Sequence, residues 1–466
     1  MQRCAVVTTG ALEVDHIAAV EGLQSPVTIE RRCNDLAELV AVCRTGRCDA
    51  ALIIGDTEKL TVSVLAELRQ GGKHIVAVSN LAQERLRLER LGVRCFPDEV
   101  SASTLAQALT GSTGSTGSAG DAGDAGDAGD AASTEGSSAA PVFHDSFPVS
   151  SGWEAAPAET LESRETLEAP ASRTAEPVLA AVSSPPGITV VWGAPGSPGR
   201  STLAVNVAAE LALANASVLL IDADTVAASI VSQLGLLEET AGLARACREA
   251  EMGRLGVDVF DSVVTSVALG SSRLPLLTGL PRAERWPELR ERSVIAVLKQ
   301  ARSRYDHVVV DIAASVEQDE DLSYDTLAPQ RNAAGLACLR LADRIFALGA
   351  SDPVSFPRFI KALEALELSV PEAASAQIEV VLNKVRTEVV GRSPRDQLSQ
   401  TWRRLGESRE ITAFLPWDAR ASDAALRNGQ VLAEAAPDSP LRRGIATLAG
   451  VELSPRRRGL VGRTRR

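Results

Sequence analysis

The run Ile188-Thr-Val-Val-Trp192, the turn Gly193-Ala-Pro-Gly-Ser-Pro-Gly-Arg-Ser-Thr202 and the helical pattern from Ser201 to Ala214 decide the fold of this 466-residue chain. An apolar strand entering a glycine-rich turn that opens a helix is the construction of a phosphate cradle. Glycines let the backbone curl until several N–H groups converge on an anion, and the helix N-terminus adds the positive end of its dipole. Gly196, Ser197, Pro198, Gly199, Arg200, Ser201 and Thr202 are therefore the candidate phosphate-binding residues. The Walker pattern GxxxxGK[ST] is met with two departures. Ala194 stands where the first glycine is expected and Arg200 replaces the lysine, whereas Ser201 keeps a hydroxyl able to ligate Mg²⁺. Turns rich in Gly and Pro are common between strand and helix without any ligand, so the surroundings decide.

Two further strands supply them. Ser217-Val-Leu-Leu-Ile-Asp-Ala-Asp224 is an apolar run ending in two carboxylates, and Tyr305-Asp-His-Val-Val-Val-Asp311 repeats the design. In an open parallel sheet ligands bind beyond the carboxyl ends of the strands, which predicts that Asp222, Asp224 and Asp311 converge beside the turn. There Asp222 and Asp311 would hold Mg²⁺ through water, with Ser201 as its hydroxyl ligand, and Asp224 and Arg200 would serve hydrolysis. A single acid at a strand end is often only a turn former or a helix N-cap. Three of them behind one phosphate turn favour the site.

The strings GAPGSPGRSTLAVNVAAELA, VLLIDAD and YDHVVVD, with VVLNKV and FLPWD further on, resemble the MinD/ParA family of deviant-Walker P-loop ATPases over roughly Gly187 to Val451. The resemblance implies ATP and Mg²⁺ as ligands. It also places Asn383, at the end of the predicted strand Ile378 to Leu382, and the backbone of Pro416 to Asp418 against the adenine. More narrowly, TGLPRAERWPEL and YDTLAPQRNAAGL resemble the actinobacterial septum-site-determining and CpaE/TadZ-like pilus-assembly branch. The family's signature lysine, which in relatives reaches across a dimer to the partner's phosphates, falls at Pro195, which carries no charge. Arg200 keeps a positive charge, but a planar guanidinium is not interchangeable with a compact ammonium in a tight cradle. The lysines Lys59, Lys73, Lys299, Lys361 and Lys384 stand amid many arginines, so a general drift from Lys to Arg accounts for Arg200 better than for Pro195. The expectation is a nucleotide site with slow or absent hydrolysis.

A chain of this length with 45% hydrophobic residues is expected to form two folded units. No apolar run is long enough to span a bilayer, and MQRCAVVTTG is too short for a signal segment, which predicts a cytoplasmic protein. Seven cysteines without a CxxC pair fit reduced thiols, and the nearest pair, Cys43 and Cys48, has no zinc-ligand spacing around it. The net charge of −12 disfavours a broad DNA-binding surface. From 110 to 186 the sequence is low in complexity, with GSTGSTGSAG, a triplet repeat carrying Asp121, Asp124, Asp127 and Asp130, and then a stretch rich in Pro, Ala and Glu. Such a stretch offers too little apolar surface to offset chain entropy and is predicted to be a disordered linker.

Residues 1–109 alternate strands and helices. Ala5 to Thr8, Ala50 to Ile54, His74 to Val78 and Val93 to Cys95 are the predicted strands, and Asp35 to Arg44, Thr57 to Gln70, Leu81 to Leu91 and Ser101 to Leu109 the predicted helices. Order and size resemble a response-regulator receiver, but its chemistry needs acids that are missing. Thr8-Thr-Gly10 follows the first strand, the acceptor position falls near Ile54 with Asp56 displaced, and Phe96-Pro97 stand in place of lysine. The segment reads as a pseudoreceiver for docking or dimerisation. The whole is thus an α/β chain of two doubly wound parallel-sheet domains, 1–109 and a P-loop NTPase at 187–453, joined by a disordered linker.

The tail 454–466 is rich in arginine and offers a weak contact to an anionic membrane, at about 1 kcal/mol per arginine. Pro455, Gly459 and Gly462 keep it from being an amphipathic helix. The favoured function is an ATP-binding spatial regulator, cytoplasmic or peripheral at the inner face of the membrane, at a septum or pole. Its protein partner would be the cell-division tubulin homologue or a pilus secretion ATPase, and it would self-associate as a homodimer. A pseudo-ATPase scaffold is the alternative. A DNA-partitioning ATPase is disfavoured by Pro195 and the acidic balance.

Overall fold

The computed structural model describes residues 3–12, 14–23, 25–69, 73–111, 182–236, 240–318, 329–405 and 409–453. Most of the predicted linker and all of the predicted basic tail lie outside these residues. Toward the N-terminus, β1 (Cys4–Gly10), β2 (Val27–Cys33), β3 (Ala50–Ile54), β4 (His74–Val78) and β5 (Arg94–Phe96) form a parallel sheet in the order β2-β1-β3-β4-β5. Helices His16–Glu21, Leu36–Arg44, Val62–Leu68, Ala82–Arg90 and Ala102–Leu109 connect and cover the strands. Asp35, Thr61 and Ser101 start three of them by accepting from backbone N–H groups one turn on. β3 is buried along its whole length, as a central strand of a two-sided sheet must be. Val7, Leu39, Ile53 and Leu65 fill one side of the sheet and Val6, Val20, Leu52 and Leu105 the other.

Strand β2 and helix His16–Glu21 were not expected from the sequence. β2 is an edge strand whose Glu30, Arg31 and Arg32 face solvent, so it carries the composition of a surface loop. Asp56 lies past β3, exposed and paired with Lys59 at 2.9 Å, consistent with an acid displaced from the strand end.

The second sheet contains β6 (Gly187–Gly193), β7 (Val218–Ala223), β8 (Thr265–Leu269), β9 (Ser272–Leu277), β10 (His307–Ile312), β11 (Arg344–Ala350), β12 (Gln377–Val385) and β13 (Ile411–Pro416). Their order is β13-β12-β11-β6-β10-β7-β9-β8. All neighbours are parallel except the last pair, so the expected doubly wound parallel sheet carries one antiparallel strand at its edge. β8 and β9 form a hairpin around Gly270, whose φ of 54° suits a tight reversal. β8 alternates buried and exposed residues over its last three positions, the pattern of an edge strand that need cover only one side.

Helix Arg200–Leu213 packs on one side of this sheet together with Pro440–Leu448, around Val191, Leu220, Val309 and Ile445. A buried carboxylate joins the two helices, since the Arg442 guanidinium donates to both oxygens of Glu210 at 2.6 and 3.1 Å. The other side is covered by Gly242–Glu251, Glu291–Arg304, Ala333–Arg340 and Ser355–Ser369 around Trp192, Leu219, Val310 and Phe359. At the amino ends of the strands, Val182 bridges Val451 and the Ser183 N–H donates to the Gly450 carbonyl at 2.8 Å. Arg344, at the start of β11, fastens the same place through Ser184, Glu379 and the Leu448 carbonyl.

Candidate functional site

The turn after β6 sits at the carboxyl edge of the sheet. Gly196 and Gly199 have φ of 82° and 109°, the left-handed region that admits glycine at little strain. At Gly199 a side chain is also excluded by space, because a Cβ there would lie 2.4 Å from Asn383 Nδ2. That Asn383 amide donates to the Pro198 carbonyl at 3.0 Å, and the Ser197 N–H closes onto the Ala194 carbonyl at 2.9 Å. Helix Arg200–Leu213 begins at Gly199 with no side-chain cap, so the N–H groups of its first turn remain for an anion.

The three acids arrive as the strand ends predict. Asp311 on β10 lies in register beside Asp222 on β7. Asp224 follows one residue after β7. Their environments differ. Asp222 accepts from the N–H groups of Ser229 and Ile230 at 3.1 Å each and of Asp224 at 3.3 Å. Asp224 accepts from Val226 and Ala227 at 2.8 and 2.9 Å, so together the two acids fold the loop 224–230 onto the sheet. Burial pushes Asp222 up to about 6, opposed by those backbone donors. Gly279 makes room for it, since a Cβ there would lie 2.7 Å from the Asp222 carboxyl carbon.

Asp311 is fully buried, and neither of its carboxylate oxygens has a hydrogen-bond partner among the described residues. Burial, and then the nearby Asp222, raise its pKa well above the ordinary carboxylate range, and Ser201 opposes the rise without reaching hydrogen-bond geometry. A buried acid in this state is fitted to a cation. No group of three or more His, Cys, Asp or Glu among the described residues is arranged to hold a metal by itself. Mg²⁺ would therefore rely on the Ser201 hydroxyl, Asp311 and the oxygens of a bound phosphate. Asp222 is less available, because its oxygens already serve the loop.

Arg200 turns toward Asp224, with 3.5 Å between Nη2 and Oδ2, and its buried Nε has no partner among the described residues. The guanidinium thus already faces an anion within the protein. Near Asn383 the chain turns through Lys384, at φ 55°, whose ammonium lies 4.4 Å from the centre of the Trp417 ring. Pro416 ends β13 beside β12. The Asp418 side chain accepts from the Ala421 N–H and the Ser439 hydroxyl, and its carbonyl accepts from the N–H and hydroxyl of Ser422.

Two positioning groups were not singled out from the sequence. Arg331 donates to the Thr225 carbonyl at 3.0 Å and lies over the Trp286 ring. It thereby joins the strings TGLPRAERWPEL and YDTLAPQRNAAGL to the Asp224 loop. Trp192 donates from Nε1 to the Ala314 carbonyl at 3.0 Å, tying the strand before the turn to the segment after Asp311. Only their placement in space reveals either role. No helix among the described residues is long and apolar enough to cross a membrane.

Residues 189–431, just over half of the chain, match the family described as the CobQ/CobB/MinD/ParA nucleotide binding domain. A search of curated proteins found no match. Among solved structures, a ParA family ATPase from Chlorobium tepidum is similar at 21% identity and a TM-score of 0.46, covering 56% of this chain and 98% of that one. The cell division ATPase MinD of Pyrococcus furiosus is similar at 15% identity and a TM-score of 0.42, over 56% of this chain and 96% of its own. The septum site-determining protein MinD of Pyrococcus horikoshii, complexed with Mg-ADP, is similar at 16% identity and a TM-score of 0.42, over 56% and 94%.

Proposed function

The chain belongs to the CobQ/CobB/MinD/ParA nucleotide-binding family, and from that premise we propose that it binds ATP with Mg²⁺ and works as a spatial switch with slow or absent hydrolysis. The observation that carries this reading is Asp311, a carboxylate with no partner for either oxygen among the described residues, beside Ser201 and an uncapped helix N-terminus. Mg²⁺ would supply charge neutralisation on the phosphate oxygens. The chain's own residues do the rest. The first-turn N–H groups and Ser201 receive the phosphates, while Asn383 holds the turn in shape through Pro198.

Arg200 is the moving part. It faces Asp224, and an entering phosphate competes for the same guanidinium. Release of Asp224 loosens the loop 224–230, which Arg331 links at Thr225 to the segment after Asp311. Occupancy is thereby converted into a change of surface, which a partner or a second copy reads. Pro195 supplies no charge to a facing protomer, and Arg200 is engaged by the acid assigned to hydrolysis, so turnover is slow. We place the switch in septum-site selection or in locating a pilus-assembly machine, with the division tubulin homologue or the secretion ATPase as its partner. The resemblance of TGLPRAERWPEL and YDTLAPQRNAAGL supports that placement.

The Arg200–Asp224 contact also favours a second reading. A cradle whose cation is already neutralised has less affinity to offer, and the protein would then be a nucleotide-independent scaffold. Titration of a fluorescent ATP analogue with and without Mg²⁺ separates the two. Saturable, Mg²⁺-sensitive binding that is lost in Asp311→Ala supports the switch, and absence of binding supports the scaffold.

A further inference from the structure

The cations named so far around the phosphate turn are either missing or engaged. Pro195 brings no charge, Arg200 is drawn to Asp224, and the Lys384 ammonium lies over the Trp417 ring. A triphosphate carries several negative charges, so such a cradle needs a cation that is still free. The helix Ser355–Ser369 supplies one. It follows β11, which pairs with β6 so that Leu348 lies beside Gly193, the last residue before the turn. Phe356, Phe359 and Ile360 are buried and hold the helix against the sheet. Gly349 sets how closely it lies, because a Cβ there would be 2.5 Å from Phe359 Cγ. The ring can rest on the β11 backbone only at a glycine.

This close approach delivers the residue before Phe359 to the turn. Arg358 is exposed, and a Cβ placed on Gly196 would lie 3.9 Å from its Nη1. Among the described residues, chain neighbours aside, no other heavy atom comes within 4 Å of that point. The space over Gly196 is therefore open except for this guanidinium. Arg358 has no hydrogen-bond or ion-pair partner among the described residues. Asp352, just before the same helix, accepts instead from the N–H groups of Val354 and Ser355 at 3.0 and 2.9 Å. A guanidinium fork matches the oxygens of a phosphate, and one without an internal anion gives up no bond to meet a ligand that enters from solvent.

We propose that Arg358 is a phosphate-binding residue of the nucleotide site and supplies from within the chain the charge that Pro195 lacks. The assignment rests on nucleotide binding at the turn and names a residue for it. The test is equilibrium titration of the full-length protein with a fluorescent ATP analogue in excess Mg²⁺, followed by displacement of the analogue with inorganic triphosphate. Arg358→Gln should weaken both the analogue and triphosphate by about tenfold or more. Lys361→Gln, an equal loss of charge one turn along the same helix, should change neither. Without nucleotide, Arg358→Gln should melt at the same temperature as wild type, because the side chain is exposed and unbonded. Failure of wild type to bind the analogue would overturn nucleotide binding and this assignment together. Where wild type binds, undiminished affinity in Arg358→Gln, an equal loss in Lys361→Gln, a loss for the analogue with none for triphosphate, or a lower nucleotide-free melting temperature would each overturn the assignment alone.

Discussion

Replacing Asp311 by Asn should leave the nucleotide-free protein as stable as before or more so, and should remove the stabilisation that Mg·ATP confers. The magnitude follows from the pair of acids. Burial carries Asp222 to about 6 even with three backbone donors, a rise of roughly two units, or about 3 kcal/mol at ~1.36 kcal/mol per unit. Among the described residues Asp311 lacks those donors, and burial with the nearby Asp222 raises it in the same direction. The sign is that of an acid whose pKa is raised on folding. Its folded form binds protons more tightly, so the penalty is absent below about pH 3.9, grows as pH rises to the folded pKa, and is complete above it. An unpartnered amide in the same place costs about 1–3 kcal/mol and carries no buried charge, so the expected sign near neutral pH is a gain in stability. For a domain of this size each 1 kcal/mol gained raises Tm by roughly 2–4 °C. Differential scanning calorimetry between about pH 5 and 8 measures it, and wild type should lose more stability with rising pH than the variant. Mg·ATP at a hundredfold excess over Kd should stabilise wild type by about 2.7 kcal/mol and the variant by much less. A nucleotide-free variant less stable by more than about 1 kcal/mol would show that the carboxylate has a structural partner, contrary to the argument, and so would an undiminished Mg·ATP shift.

Gly199→Ala combines a φ of 109° with a Cβ 2.4 Å from Asn383 Nδ2. It should cost about 1–3 kcal/mol and at least tenfold in nucleotide affinity, read by denaturation and titration of the same sample. Arg200→Lys exchanges the fork that reaches Asp224 for a point charge. It should raise phosphate release at least tenfold, and an unchanged rate would place the restraint on turnover elsewhere. Glu210→Ala leaves Arg442 as a largely buried cation without its two carboxylate bonds. Chemical denaturation should show a loss of about 3–5 kcal/mol, and a loss under about 1 kcal/mol would mean that Arg442 finds another partner.

Much of the candidate site could be read from the chain because its signals are local. The glycine turn, the apolar run before it and the acids closing two other runs are each contained in a few residues, and parallel pairing brings their ends to one edge. The adenine-side expectation was less direct. Asn383 turned out to brace Pro198, a contact across 185 positions that no periodicity encodes. Arg331 and Trp192 were invisible for the same reason, since each acts on a backbone carbonyl of a remote segment. Strand β2 escaped notice because an edge strand need bury only its ends, here Val27 and Cys33. The β8–β9 hairpin interrupts the parallel pattern through one short reversal at Gly270.

The clasp of Val182 on Val451, with Ser183 on Gly450 and Arg344 behind them, has a mechanical meaning. Residues 182–184 precede the second sheet in sequence and residues 448–451 follow it, so force applied along the chain from either direction enters the sheet at one spot, at the amino ends of its strands. β6 is seven residues long, which puts that spot roughly 20 Å from the phosphate turn. Tension between the two flanking segments would peel the clasp open before it reached the opposite edge. Pulling on both flanks would therefore leave the turn 193–202 unloaded, and the two flanks would not act as levers on it.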